Sequence, residues 1–289
     1  MQNSAVPALD AAVIGEAAGV KATTADGGVV RIGWPRDDVK VKVDGMSLQP
    51  FAGLGSWAAF LPTEHGAMVM GDTVVFQDEV SPAMDAAFAN GLEVSALHNH
   101  FFFDEPRVYF MHVGGSGDPA ELAAGIKAVW DAIKAVRQKR PEPATTFGGA
   151  SPSGENAITE GPIMAALGGK VESKDGIVKV SIGRKGRMHG MEMGGSMGLT
   201  TWAAFSGKDD LAAVDGDFIM TANEVQPVLR ALREGGIHVV ALHNHMIGEE
   251  PAFYFTHFWG KGSAQNLAAG LKAALAAQAA AEKELGHGK

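Results

Sequence analysis

The chain predicts an α+β protein: two tandem copies of one unit, each a mostly antiparallel sheet with flanking helices, related by a pseudo-twofold axis. Three observations predict it. One unusual segment is written twice, short alternating apolar runs bounded by turn residues recur in both copies, and helix-start and helix-stop signals fall between those runs. A length of 289 residues suits two domains of ordinary size, and 46% hydrophobic with 20% charged residues is a soluble globular composition.

The repeat is explicit. His98-Asn99-His100 opens the run HNHFFFDEPRVYFMH, and His243-Asn244-His245 opens HNHMIGEEPAFYFTH 145 positions later. That offset holds without a gap over a long stretch. GMSLQPFAGLGSWAAF from Gly45 matches GMEMGGSMGLTTWAAF from Gly190, Trp57 maps to Trp202, Gly71-Asp72 to Gly216-Asp217, Glu79-Val80 to Glu224-Val225, and Pro82 to Pro227. Upstream a gap is needed: Asp26-Gly27 corresponds to Asp175-Gly176, so the first copy is longer around Trp34 to Lys42. The stretch from Arg140 to Gly161 is rich in Pro, Gly, Ser and Thr and reads as a loop. The division is therefore residues 1–140, a linker over 141–161, and residues 162–289.

Within the first copy the elements follow in order. A short helix is expected over Ala8 to Ala18, then strands near Val29 to Gly33, Val39 to Val43, Trp57 to Leu61 and Met68 to Phe76. Ser81-Pro82 predicts an N-cap with proline at the first helical position, and Asn90-Gly91 a stop, giving a helix over Pro82 to Ala89. Strands near Glu93 to Phe101 and Arg107 to Val113 hold the histidines. Asp118-Pro119 then starts a long helix to about Gln138, with Leu122, Ile126, Val129 and Ile133 on one face. The second copy repeats the order and ends in an Ala-rich helix with a basic end running to Gly288.

The doubled segment carries the chemistry. Six of the ten histidines lie in it, and in each copy Glu lies five residues past the second His (Glu105, Glu250), Pro follows (Pro106, Pro251), and a third His lies twelve past (His112, His257). On a strand, side chains two apart share a face, so His98 and His100 point one way and Asn99 the other. A turn centred on Glu105 would set His98 directly across from His112, and the same register centred on Glu250 pairs His243 with His257. Three imidazoles and a carboxylate per copy then form a metal site: His98, His100, His112 and Glu105, and His243, His245, His257 and Glu250. This donor set suits a divalent ion, zinc first, with iron, manganese, nickel or copper as alternatives. Three histidines with an open position can activate water on zinc; two histidines and a carboxylate suit non-haem iron. The bland alternative is that the histidines hydrogen-bond within a packed sheet.

Other residues are weighed beside it. Asp104 and its counterpart Glu249 are candidates for a general base or for a partner that holds a histidine, against solvated turn acids, and Arg107, opposite Ala252 in the repeat, for an anion-binding cation or a surface charge. Trp57 and Trp202 read as core aromatics or as a pocket wall, and Glu79 and Glu224 as helix-start acids or as groups that reach the metal. Met188 to Met193, with Met197, raises a soft copper(I) site, against which the repeat sets apolar counterparts such as Met46 and Leu48. A net charge of −9 argues against nucleic acid as a partner, no apolar run reaches membrane-span length, and the absence of cysteine excludes disulfides and thiolate sites. No signal peptide is visible in MQNSAVPALD. The run H-x-H-x4-E also looks like the first half of a cupin motif, but the second half does not follow.

Through ALHNH at 96–100 and 241–245, the Glu-Pro and His that follow, and Glu-Val before Pro at 79–82 and 224–227, the chain resembles the LppY/LpqO family of bacterial lipoproteins. The resemblance spans nearly the whole chain as two copies. It implies a periplasmic or secreted setting and no assigned reaction; without a lipobox cysteine, it implies an unanchored form. The resulting expectation is a metal-binding envelope protein with a site of three histidines and one glutamate in each repeat. It would act as a metal-dependent hydrolase or hydratase on a small-molecule substrate, or else as a non-catalytic metal-binding or structural repeat protein.

Overall fold

A computed structural model describes residues 6–286. The expected basic end running to Gly288 lies outside the described residues. The chain forms two compact units, Met1–Phe147 and Gly148–Lys289, each an antiparallel sheet with helices packed on it.

The first unit contains α1 (Ala11–Ala18), β1 (Thr23–Thr24), β2 (Val30–Pro35), β3 (Val41–Val43), β4 (Met46–Leu48), β5 (Gly55–Thr63) and β6 (Gly66–Phe76). It continues with α2 (Val80–Ala89), β7 (Glu93–His98), β8 (Asp104–Glu105), β9 (Val108–Gly117) and α3 (Pro119–Lys139). Its main sheet has the order β1-β2-β5-β6-β9-β7, every neighbour antiparallel. A small sheet, β4-β3-β8, stands beside it. The second unit contains α4 (Glu160–Leu167), β10 (Lys170–Lys174), β11 (Ile177–Gly183), β12 (Gly186–Met188), β13 (Met191–Met193), β14 (Thr200–Lys208) and β15 (Leu211–Met220). After these come α5 (Ala222–Glu234), β16 (His238–His243), β17 (Tyr254–Gly262) and α6 (Ala264–Gly286). Its sheet runs β16-β17-β15-β14-β11-β10, again antiparallel throughout. Among the described residues no helix is long and apolar enough to cross a membrane.

The strand period divides each sheet into two faces. On β9, Met111 and Val113 point to the helix side, where Trp130 of α3 reaches Thr73 and Gly115 lies under Leu122. Leu122, Ile126, Val129 and Ile133 of α3 are all buried, as their spacing predicts. Phe110 and His112 point to the other face. The β3–β4 excursion covers one end of that face, closing a core of Val39, Val41, Leu54, Val74, Phe76, Val108 and Phe110. In the second unit Leu199, Ile219, Phe253 and Phe255 form the matching cluster, with Met193 and Met246 packed against it.

A buried ion pair ties each excursion to a helix start. Arg36, 1% exposed, donates to both oxygens of Glu79 at 2.8 and 2.9 Å and to the Val74 carbonyl at 2.8 Å. Glu79 also accepts the Phe76 N–H. Arg184 holds Glu224 in the same bidentate way, and Glu224 completes a capping box with Thr221. These acids therefore anchor a guanidinium as well as a helix terminus. The consequence for the helices differs from the sequence expectation. The first helix after β6 starts at Val80, with Glu79 as its cap residue, so Pro82 falls within the first turn; Pro227 lies inside α5, which begins earlier, just after its cap residue Thr221.

Candidate metal centre

The two histidine segments begin on β7 and β16 and leave those strands after His98 and His243. His100 and His245 thus sit on the loop beyond, where the sequence predicts continuous strand. Asn99 Nδ2 donates to the Phe101 carbonyl at 2.8 Å, and Asn244 Nδ2 to the Met246 carbonyl at 2.7 Å. This side-chain-closed turn swings the second imidazole back over the sheet. His100 stacks on Phe110 with ring centroids 3.3 Å apart, and His245 on Phe255 at 3.5 Å.

The register also differs from a simple hairpin. Ala96 pairs with His112 and His98 with Phe110; Ala241 pairs with His257 and His243 with Phe255. The pairing is displaced by two residues from the predicted one, so His98 and His112 are diagonal rather than opposite. A displacement of two preserves the face. A β-bulge between Val94 and Ala96, repeated between Val239 and Ala241, sets the phase. Before it Val94 pairs with Val113 on the helix side; after it His98 pairs with Phe110 on the other. Without the extra residue His98 would share the face of Val94 and point into the helices.

Three imidazoles converge as a result. Ring centroids of His98 lie 5.2 Å from His100 and 5.1 Å from His112; those of His243 lie 5.0 Å from His245 and 5.1 Å from His257. In the second unit one ring nitrogen from each of His243, His245 and His257 lies within 4.8 Å of the others. Backbone carbonyls hold the rings: His98 Nδ1 is 3.3 Å from the Asn99 oxygen, His243 Nδ1 3.3 Å from Asn244, and His257 Nδ1 3.2 Å from Gly216. A proton on Nδ1 in these contacts leaves the Nε2 lone pair for an ion.

A fourth group stands against the rings. Asp72 on β6 pairs directly across from His112, and Asp217 on β15 across from His257. Asp72 is 8% exposed and Asp217 3%. Asp72 Oδ1 lies 3.9 Å from His112 Nε2; Asp217 Oδ2 lies 3.4 Å from His245 Nε2, and its Oδ1 4.0 Å from His257 Nδ1. The Oδ1 atoms of both aspartates are buried without a hydrogen-bond partner. Burial raises the Asp72 carboxyl above its ordinary value, against the pull of His112, His100 and His98. Burial lowers the His100 imidazole despite Asp72, and His98 and His112 lower it further; His245 is lowered in the same way beside Asp217. Neutral rings are the form that binds metal.

The turn glutamates lie elsewhere. Glu105 is exposed on β8, across from Lys42 of the small sheet, and exposed Glu250 bridges by its backbone to Arg187, outside the three-histidine group. Asp104 accepts the Val108 N–H at 2.6 Å, and Glu249 the Phe253 N–H at 2.8 Å, so both close their own loop. Arg107 is exposed and, with Asp104 and Glu105, lines a groove distinct from the one that reaches His100 and Asp72. That latter groove, about 900 Å³, runs past Trp57, Phe51 and Gln49. Trp57 and Trp202 are half-buried on the histidine face rather than in the core, under Arg31 at 4.8 Å and Lys179 at 4.3 Å. The methionine-rich run forms the β12–β13 hairpin, with Met191 67% and Met197 66% exposed.

The chain belongs to the family described as Domain of Unknown Function (DUF1259), whose model matches twice, over residues 12–132 and 161–277. Each match contains one full set of three histidines and one aspartate. No curated protein matches. Among solved structures, similarity is found to the trimeric bacterial microcompartment shell protein PduB, at 11% identity over 91% of this chain and 93% of that one, with a TM-score of 0.23. EtuB from Clostridium kluyveri has 11% identity over 91% and 92% and a TM-score of 0.22. EutL from Clostridium perfringens has 14% over 78% and 86% and a TM-score of 0.22. At such scores the likeness carries no argument.

Proposed function

We propose that this is a metal-binding protein that holds one divalent transition-metal ion in each repeat, for storage or delivery rather than for catalysis. His98, His100 and His112 hold the first ion, and His243, His245 and His257 the second. The observation that carries the reading is the set of three ring nitrogens within 4.8 Å of one another in the second repeat, two of the rings held by backbone carbonyls, with matching ring-centroid distances in the first. Zinc is the first choice for such donors, with iron, manganese, nickel and copper(II) behind it.

Binding is favoured over catalysis by what the repeats keep and what they change. The imidazoles, the aspartate and the aromatic floor recur, while Phe51 gives way to Ser196, Met70 to Asp215 and Arg107 to Ala252. A reaction depends on the shape and charge around the ion; holding an ion depends on the donors alone. The resemblance of the ALHNH segments to an envelope family supports a periplasmic or secreted setting.

Elemental analysis of protein purified without a His tag tests the reading. Two ions per chain are expected, one after His98→Ala with His100→Ala, and none when His243→Ala and His245→Ala are added. Folded wild-type protein that takes up no zinc or cobalt on dialysis contradicts it. A second reading, a metal-dependent hydrolase or hydratase in the first repeat, rests on the groove that brings solvent to Asp72 and His100. Turnover of chromogenic esters or phosphates by the metal-loaded protein, lost with His98→Ala and His100→Ala, would favour it over storage.

A further inference from the structure

We propose that Asp72 and Asp217 are the anionic ligands of the two centres, in the place that motif spacing gives to Glu105 and Glu250. The inference rests on the metal-binding reading above and adds to it the identity of the fourth donor and the closure of the shell.

Three independent features point to the aspartates. The first is topology: Asp72 and Asp217 lie across from the last histidine of each trio, on the same sheet face. The second is an unmet demand. A buried carboxylate oxygen is normally hydrogen-bonded, yet Oδ1 has no partner in either repeat. A buried carboxyl oxygen with no donor, set beside three imidazoles, is an arrangement that a shared cation would complete. The third is distance. Zinc–nitrogen and zinc–oxygen bonds of about 2.0–2.2 Å set tetrahedral donor–donor edges at about 3.3–3.6 Å. The 3.4 Å between Asp217 Oδ2 and His245 Nε2 matches such an edge and is longer than a good hydrogen bond. The 3.9 Å between Asp72 Oδ1 and His112 Nε2 needs only a small contraction. By contrast Glu105 and Glu250 are exposed and pinned by their backbones to other strands. Three imidazoles with one aspartate form a closed four-donor shell, the kind that holds an ion rather than presenting it to substrate.

The absence of native cysteine allows a direct test. In Asp217→Cys the new thiol is unique, so loading with cobalt(II) gives a near-ultraviolet thiolate-to-cobalt band only if position 217 reaches the ion. The band is expected there and absent in Glu250→Cys. Cobalt bound to Asp217→Cys with no such band overturns the inference while leaving the three-histidine reading intact. Wild-type protein that takes up no cobalt overturns both. Should Asp217→Cys fail to fold, isosteric Asp217→Asn with unchanged circular dichroism reads the same point. Its zinc affinity in a competition titration is expected to fall by more than the roughly 10–100-fold typical of losing a group behind a ligand. Glu250→Gln is expected to bind as wild type. The reverse pattern, loss with Glu250→Gln and none with Asp217→Asn, overturns the inference.

Discussion

At Glu224 a single side chain shows how these repeats place charge inside the fold. Burial pushes its carboxyl up, but Arg184, the Thr221 N–H and Gln278 hold it below its ordinary value overall. A depressed carboxyl stabilises the folded state above the unfolded value, about 4.3 for glutamate, and loses that contribution as pH falls through the folded value. The stability gap between wild type and Arg184→Met, measured by urea unfolding, is therefore expected to be largest near neutral pH and to shrink in acid. A gap that is constant or grows in acid would contradict the assignment. Arg36 and Glu79 form the equivalent buried pair, and Glu79 also meets Arg137 at 2.7 Å. Arg36→Met therefore leaves Glu79 one cationic partner and is expected to cost less than the roughly 3–5 kcal/mol of an orphaned buried charge, read from the same unfolding curves. At this scale the sequence was partly informative. The histidines were visible through their repetition. Asp72 and Asp217 were visible as repeat matches but carried no signal of ligation, because only the β6–β9 and β15–β17 pairings bring them to the rings. The turn glutamates had the better spacing but lie exposed and away from the rings: Glu105 is on a small extra strand and Glu250 on a bridge to Arg187, where the spacing predicts a tight hairpin.

At the scale of elements, the bulge at Ser95 decides which side of the sheet His98 occupies. Deleting Ser95 is expected to rotate His98 toward the helices, or Val94 out of them. Metal stoichiometry should then fall from two to one, because the second repeat keeps its own bulge at Val240. Retention of two ions in the deletion variant would show that the loop alone orients the first trio. The strands and the long α3 helix were legible from periodicity and capping residues. The bulge was not, because Val-Ser-Ala-Leu reads as unbroken alternation, and only pairing with β9 exposes the extra residue. The end of β7 at His98 was likewise hidden: the apolar run through Phe101 prolongs a strand pattern that the Asn99 turn interrupts.

For the molecule as a whole, the doubling in sequence repeats the three histidines and the aspartate. The proposed donors of the first centre lie between Asp72 and His112, and those of the second between Asp217 and His257, each inside its own compact unit. The tandem organisation was legible because duplication preserved a gapless offset through the strands; the division after Phe147 falls inside the stretch 141–161 that composition marks as a linker. In the proposed centres three imidazoles and one aspartate surround a single ion in each repeat. Anomalous diffraction at the zinc edge, from crystals of zinc-loaded protein, tests this arrangement most directly. Two peaks per chain are predicted, one about 2.0–2.2 Å from nitrogens of His98, His100 and His112 and an oxygen of Asp72, the other in the same relation to His243, His245, His257 and Asp217. Peaks at Glu105 and Glu250, or none within reach of the imidazoles, would contradict it.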